Sequence, residues 1–118
     1  MTGRLAVGAG AIAMAITVAG AMAEAQAPLP AAELARRVAR GKVVYAEQKC
    51  ASCHMIAGAG NKRSVLDGVG SRVTEPTLRL WIVNPRKVKA TVRKPDYSRL
   101  PAADVDALVA YLKSLTAK

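Results

Sequence analysis

The chain of 118 residues has no phenylalanine, one tryptophan and three tyrosines. Aromatic side chains alone would therefore give it a thin core. Its two cysteines allow one disulfide at most, which cannot staple a domain this small. A structural zinc site takes four Cys or His ligands, and the chain offers three, crowded too closely to close a tetrahedron well. A thioredoxin-like dithiol would need a larger α/β frame, which the residue pattern does not supply. Methionine is confined to positions 1, 14, 22 and 55. No alternating run is long enough to demand a sheet, and there is no internal repeat.

What the chain does hold is concentrated in Cys50-Ala51-Ser52-Cys53-His54, which contains both cysteines and the one histidine. Two thiols three residues apart can be captured by the two vinyl groups of one haem. The histidine that follows is then held beneath the iron as an axial ligand, the C-x-x-C-H pattern of covalent haem c attachment. A buried haem would fill the thin core. A disulfide between Cys50 and Cys53 is the plain structural alternative.

The N-terminus reads as an address. Arg4 is the only charge before an uncharged run at 5–23, and small residues then sit at A-x-A spacing in Ala21-Met22-Ala23 and Ala23-Glu24-Ala25. Residues 1–25 are read as a signal peptide cleaved after Ala25, with Ala23 and Ala27 as other cleavage points. The same run is about as long as a membrane helix needs, so an uncleaved anchor is the other reading. Removal of 1–25 takes Arg4 and Glu24 together, so the remaining chain keeps the net charge of +10. That excess points to an acidic partner surface or an anionic membrane face, or serves solubility alone. Nucleic acid is discounted for an exported protein.

Residues 26–30 are a connector and 31–118 the domain. A helical pattern spans 31–48, with Leu34, Val38, Val44 and Tyr45 at helical spacing and Arg36, Arg37 and Arg40 mostly opposite. Gly41 interrupts it and needs a reason, of which close approach of another helix backbone is the usual one. The stretch 55–70 reads as a loop, with Leu66 and Val69 as inward anchors and Lys62 and Arg63 solvated. A second helix fits Glu75–Val83, with Thr74 as N-cap, Pro76 in its first turn and Leu78, Trp81 and Ile82 on the buried side. The segment 86–99 is basic and irregular. A final helix opens at Pro101, has Asp104 and Asp106 near its positive end and Lys113 near its negative end, and presents Val105, Leu108, Val109, Leu112 and Leu115 as one stripe.

With these features in place, 34–115 resembles the small class I cytochromes c of bacteria. Gly41 and Tyr45 match the glycine and aromatic of that family's N-terminal helix, and Leu108 and Tyr111 match the pair on its C-terminal helix. The resemblance implies an all-α, class I cytochrome c fold, with those helices crossed around one covalently attached haem. It implies that Cys50, Cys53, His54, Leu66, Trp81 and Tyr97 contact the haem; Trp81 looks like the tryptophan directed toward a propionate, with plain core packing as its other reading.

Two departures stand out. Leu66-Asp67-Gly68 fits the family's haem loop, but Arg63-Ser64 stands where a Gly-Pro pair usually orients the histidine. Aligned from the last helix, Lys94-Pro95 occupies the family's Met-Pro position. Three readings of the sixth iron ligand stay open: Lys94 as a neutral amine, an open or water-bound site, or another loop residue such as Lys89 or Tyr97. The resemblance implies a monomeric periplasmic single-electron carrier that meets an acidic redox partner, with membrane contact only if the leader is uncleaved. The alternative is a haem-based small-ligand-binding or peroxidase-like protein with an open sixth site. A third reading is a bound subunit of a larger respiratory or dehydrogenase complex.

Overall fold

The computed structural model describes residues 27–118, together with the isolated positions Gly3 and Gly10. The expected signal peptide at 1–25 and its cleavage point otherwise lie outside the described residues. Among the described residues, no helix is long and apolar enough to cross a membrane.

Five α-helices carry the domain: α1 (Ala31–Glu47), α2 (Val69–Arg72), α3 (Glu75–Val83), α4 (Pro85–Val88) and α5 (Ala102–Ser114). Helix α1 starts directly after Pro30, whose carbonyl accepts from the Leu34 N–H at 3.0 Å. Glu33 in its first turn complements the helix dipole and pairs with Arg36 at 2.8 Å and Arg37 at 3.1 Å. The helix ends at Glu47, and beyond it Lys49 turns the chain in a left-handed conformation with φ of 55°. At the other end of the chain, α5 opens after Pro101 with Asp104 in its first turn and Lys113 in its last.

Helices α1 and α5 cross backbone to backbone at Gly41. A Cβ there would overlap the carbonyl oxygen of Ala107 and the Cβ of Tyr111. This supplies the reason for a glycine in a helix interior, where its intrinsic cost is about 1 kcal/mol. The crossing is flanked by an edge-on contact of the Tyr45 and Tyr111 rings, with centroids 5.7 Å apart. On the solvent side the Arg40 guanidinium grips both oxygens of Asp104 at 2.9 Å. Buried Val44 from α1, Leu78 and Ile82 from α3, and Val105, Leu108, Val109 and Leu112 from α5 form the core. Each such side chain contributes about 1.5–3 kcal/mol by leaving water.

Helix α2 is tied to the end of α5. Lys113 Nζ donates to the carbonyls of Gly70 at 2.6 Å and Val73 at 3.2 Å, and the Gly70 N–H donates to the Leu115 carbonyl at 2.8 Å. These bonds satisfy carbonyls that α2 and the C-terminal end of α5 would otherwise leave orphaned.

Several expectations change. The 55–70 stretch is not a plain loop. It holds a small sheet, with β1 (His54–Ile56) between antiparallel β2 (Ala59–Gly60) and parallel β3 (Ser64–Val65), and then α2. Helices dominate, but the domain is not helices alone. The strands are two or three residues long, too short for alternation to reveal them. Leu34 is 44 % exposed, because α1 projects its first turns beyond the core. Thr74 stands at the start of α3, but its hydroxyl bonds to that of Thr77 at 3.0 Å rather than to a backbone N–H. Within the basic segment, Pro85 opens the one-turn α4.

Because the obstacle at Gly41 is backbone, which cannot swing aside, Gly41→Ala is expected to destabilise the haem-loaded protein by about 1–3 kcal/mol. Urea denaturation followed by circular dichroism checks this; an unchanged midpoint would show that the helices have room between them.

Candidate functional site

The chain leaves α1 through Lys49 into a tight 3-10 turn, Cys50–Ser52, in which Ser52 N–H donates to the Lys49 carbonyl at 3.0 Å and Cys53 N–H to the Cys50 carbonyl at 3.1 Å. This turn brings both thiols to one end of α1 and delivers His54 to the middle strand of the small sheet. Both cysteines are free; Cys50 is half-buried and Cys53 exposed.

The motif is braced by residues of the 55–70 stretch, which the sequence pattern marked only as loop. Asn61 donates its backbone N–H to the carbonyls of Ala51 at 3.1 Å and His54 at 3.0 Å, and its Nδ2 to the Ser52 carbonyl at 3.0 Å. Gly60 has φ of 108°, and a Cβ there would overlap the His54 carbonyl oxygen. Asp67 Oδ1 accepts from the N–H of Ala57, a residue held at φ of 50°, at 2.9 Å. The spacing of Gly60-Asn61 behind the cysteines is the one sequence signal that could have pointed to this brace.

His54 is partly buried, and its Nδ1 is one of two buried polar side-chain atoms without a hydrogen-bond partner among the described residues. Burial lowers the imidazole pKa and the charge of Lys94 lowers it further, while the Ser64 backbone opposes the shift. Ser64 is the residue that β3 places opposite His54 in the parallel register. Burial likewise pushes the Cys50 thiol up.

Lys94 is partly buried, and its amine is within electrostatic reach of Cys50, Cys53 and His54. Burial lowers its pKa; the two thiols and Asp96 oppose this. Its Nζ lies 4.8 Å from the centroid of the Tyr97 ring and donates to the Pro95 carbonyl at 3.3 Å. Tyr97 is itself anchored, its N–H donating to the Ile82 carbonyl of α3 at 2.9 Å. The fold thus gathers Cys50, Cys53, His54, Lys94 and Tyr97, which are up to 47 positions apart in sequence. Leu66 packs on the core and is linked to β1 by its N–H to the Met55 carbonyl at 2.9 Å. Trp81 is partly buried, less so than its helix neighbours Leu78 and Ile82, so it does not share their face fully. Lys89 is exposed, and Met55 is held in β1 beside His54.

Residues 38–116 match the family model for cytochrome c, and the chain belongs to the cytochrome c family. It is also similar to a cytochrome c oxidase subunit 2 of Alkalihalophilus pseudofirmus, with 32 % identity over 86 residues. That match covers 64 % of this chain and 25 % of the relative, so the chain spans about a quarter of that protein's length. Membership of the family carries covalently bound haem c with its iron, and haem-based electron transfer. The residues present fit the group: two free thiols in a braced turn, followed by a partly buried imidazole with an orphaned ring nitrogen.

Asn61→Ala removes the bond to the Ser52 carbonyl and is expected to cost about 0.5–1.5 kcal/mol. Denaturation of the haem-loaded variant measures that loss, and a stability equal to wild type would show that the brace resides in the backbone alone.

Proposed function

We propose that the chain is a periplasmic single-electron carrier in which Cys50 and Cys53 hold haem c through thioether bonds, His54 is one axial ligand and Lys94 the other. The observation that carries this reading is the convergence of Lys94 on the Cys50 to His54 turn from a segment whose other basic residues face solvent. When bound, haem supplies the one-electron couple of its iron. The chain's own residues do the rest. The braced turn presents both sulfurs, and parallel pairing with β3 fixes the backbone of His54 opposite Ser64, which stands where the family has its Gly-Pro pair. Burial of Lys94 lowers the cost of the neutral amine, the form that can donate to a metal. Leu66, Trp81 and Tyr97 line the site and exclude water.

Docking to an acidic redox partner is the accompanying proposal. Among the described residues, Glu33, Glu47, Asp104 and Asp106 form ion pairs, all with arginines of α1 and α3. Arg86, Lys87, Lys89, Arg93 and Arg99 are exposed and enter no such pair, and with Asp96 as its single acid the segment that carries Lys94 keeps a net positive charge. The likeness to part of an oxidase subunit supports a respiratory setting.

Optical and electron paramagnetic resonance spectra test the ligand. Low-spin spectra are expected in both oxidation states and should turn high-spin in Lys94→Ala, while Lys94→Met should raise the reduction potential, as thioether ligation does. A wild-type ferrous form that is high-spin and takes up carbon monoxide readily would overturn lysine ligation in favour of a ligand-binding protein.

For docking, stopped-flow electron transfer with an acidic partner should slow by about tenfold or more between low and high ionic strength. A flat dependence would remove the charged segment from the encounter.

A further inference from the structure

Beside His54 Nδ1, the second buried polar atom without a partner among the described residues is the hydroxyl oxygen of Tyr45. The role of Tyr45 at the helix crossing does not account for that hydroxyl. Its ring packs against the apolar core and meets Tyr111 edge-on, and a phenylalanine would make both contacts. A hydroxyl withdrawn from water without a partner costs stability, so one kept there calls for an acceptor.

Tyr45 lies in the last turn of α1, and the left-handed Lys49 folds the chain back so that Cys50 follows at once. The hydroxyl pKa is pushed up to about 12, first by burial and then by the Cys50 sulfur, ahead of Tyr111. The Cys50 sulfur is thus within electrostatic range of the hydroxyl, although the two make no hydrogen bond in this structure, and Cys50 is the half-buried member of the cysteine pair. A thioether sulfur keeps lone pairs and accepts a hydrogen bond weakly.

We propose that Tyr45 is a positioning residue of the haem site, its hydroxyl donating a hydrogen bond to Cys50 Sγ in the haem-loaded protein. The inference rests on covalent attachment at Cys50. The bond fixes the rotamer of that cysteine and draws electron density from the thioether. Because the oxidised site carries one more positive charge, a donor of this kind favours the reduced form.

The test compares haem-loaded wild type with Tyr45→Phe and Tyr111→Phe. Phenylalanine keeps each ring, so all three should carry haem. Tyr45→Phe should lower the equilibrium constant for reduction by a mediator about threefold, ~30 mV at 59 mV per tenfold for one electron. Tyr111→Phe should leave it unchanged. In wild type, proton NMR should show the Tyr45 hydroxyl as a slowly exchanging resonance that moves between the ferric and ferrous forms. An unchanged potential in Tyr45→Phe, an equal shift in Tyr111→Phe, or a Tyr45 hydroxyl exchanging freely with solvent would overturn the proposal while leaving the haem site standing. Peptide mass analysis that finds no haem on Cys50 would sink both.

Discussion

Helix α1 rests on helix α5 with no side chain between them at Gly41, and the rest of the domain follows from that approach. The Ala107 carbonyl and the Tyr111 Cβ occupy the space a methyl group would need, so neither helix can shift without losing the contact. The core of Val44, Leu78, Ile82, Leu108 and Leu112 closes around this crossing. Since α1 ends at Glu47, three residues before Cys50, the crossing also sets where the cysteine turn begins. Tyr45 and Tyr111 seal the crossing on one side and Arg40 with Asp104 on the other; the exposed ion pair adds geometry more than energy.

The second constraint is the backbone of the motif itself. The five residues that present two sulfurs and an imidazole form only a single 3-10 turn and the start of a short strand, so several of their carbonyls need donors from elsewhere. Asn61 satisfies three of them, those of Ala51, Ser52 and His54, and the positive φ of Gly60 lets β2 come close enough for this. The small sheet is therefore a scaffold for chemistry rather than a layer of the core, which agrees with its largely exposed edge strands.

Much of the architecture was legible in the residues. The bounds of α3, the start of α1 and the α5 stripe follow from periodicity, proline placement and helix-end charges, all of which act within one or two turns. The close helix approach could be inferred from the one glycine that a helix would not otherwise tolerate. What escaped the reading has a common cause. The short strands, the exposure of Leu34 and the Asn61 brace depend on which surfaces meet, and neither propensity nor periodicity encodes that.

By itself the sequence determined the chemistry: the Cys50 to His54 spacing admits one haem joined through two sulfurs, and membership of the cytochrome c family agrees with it. Only the tertiary structure decided which distant groups lie near that stretch. In the sequence Lys94 was one of three readings of the sixth ligand, marked by its place before Pro95, and Tyr45 was the aromatic matched to the family's N-terminal helix. Folding brings the amine of one and the hydroxyl of the other within electrostatic range of Cys50, because Tyr97 anchors the first segment to α3 and the crossing at Gly41 anchors the second. Burial then changes what each group can do, and burial is a property of the assembled chain.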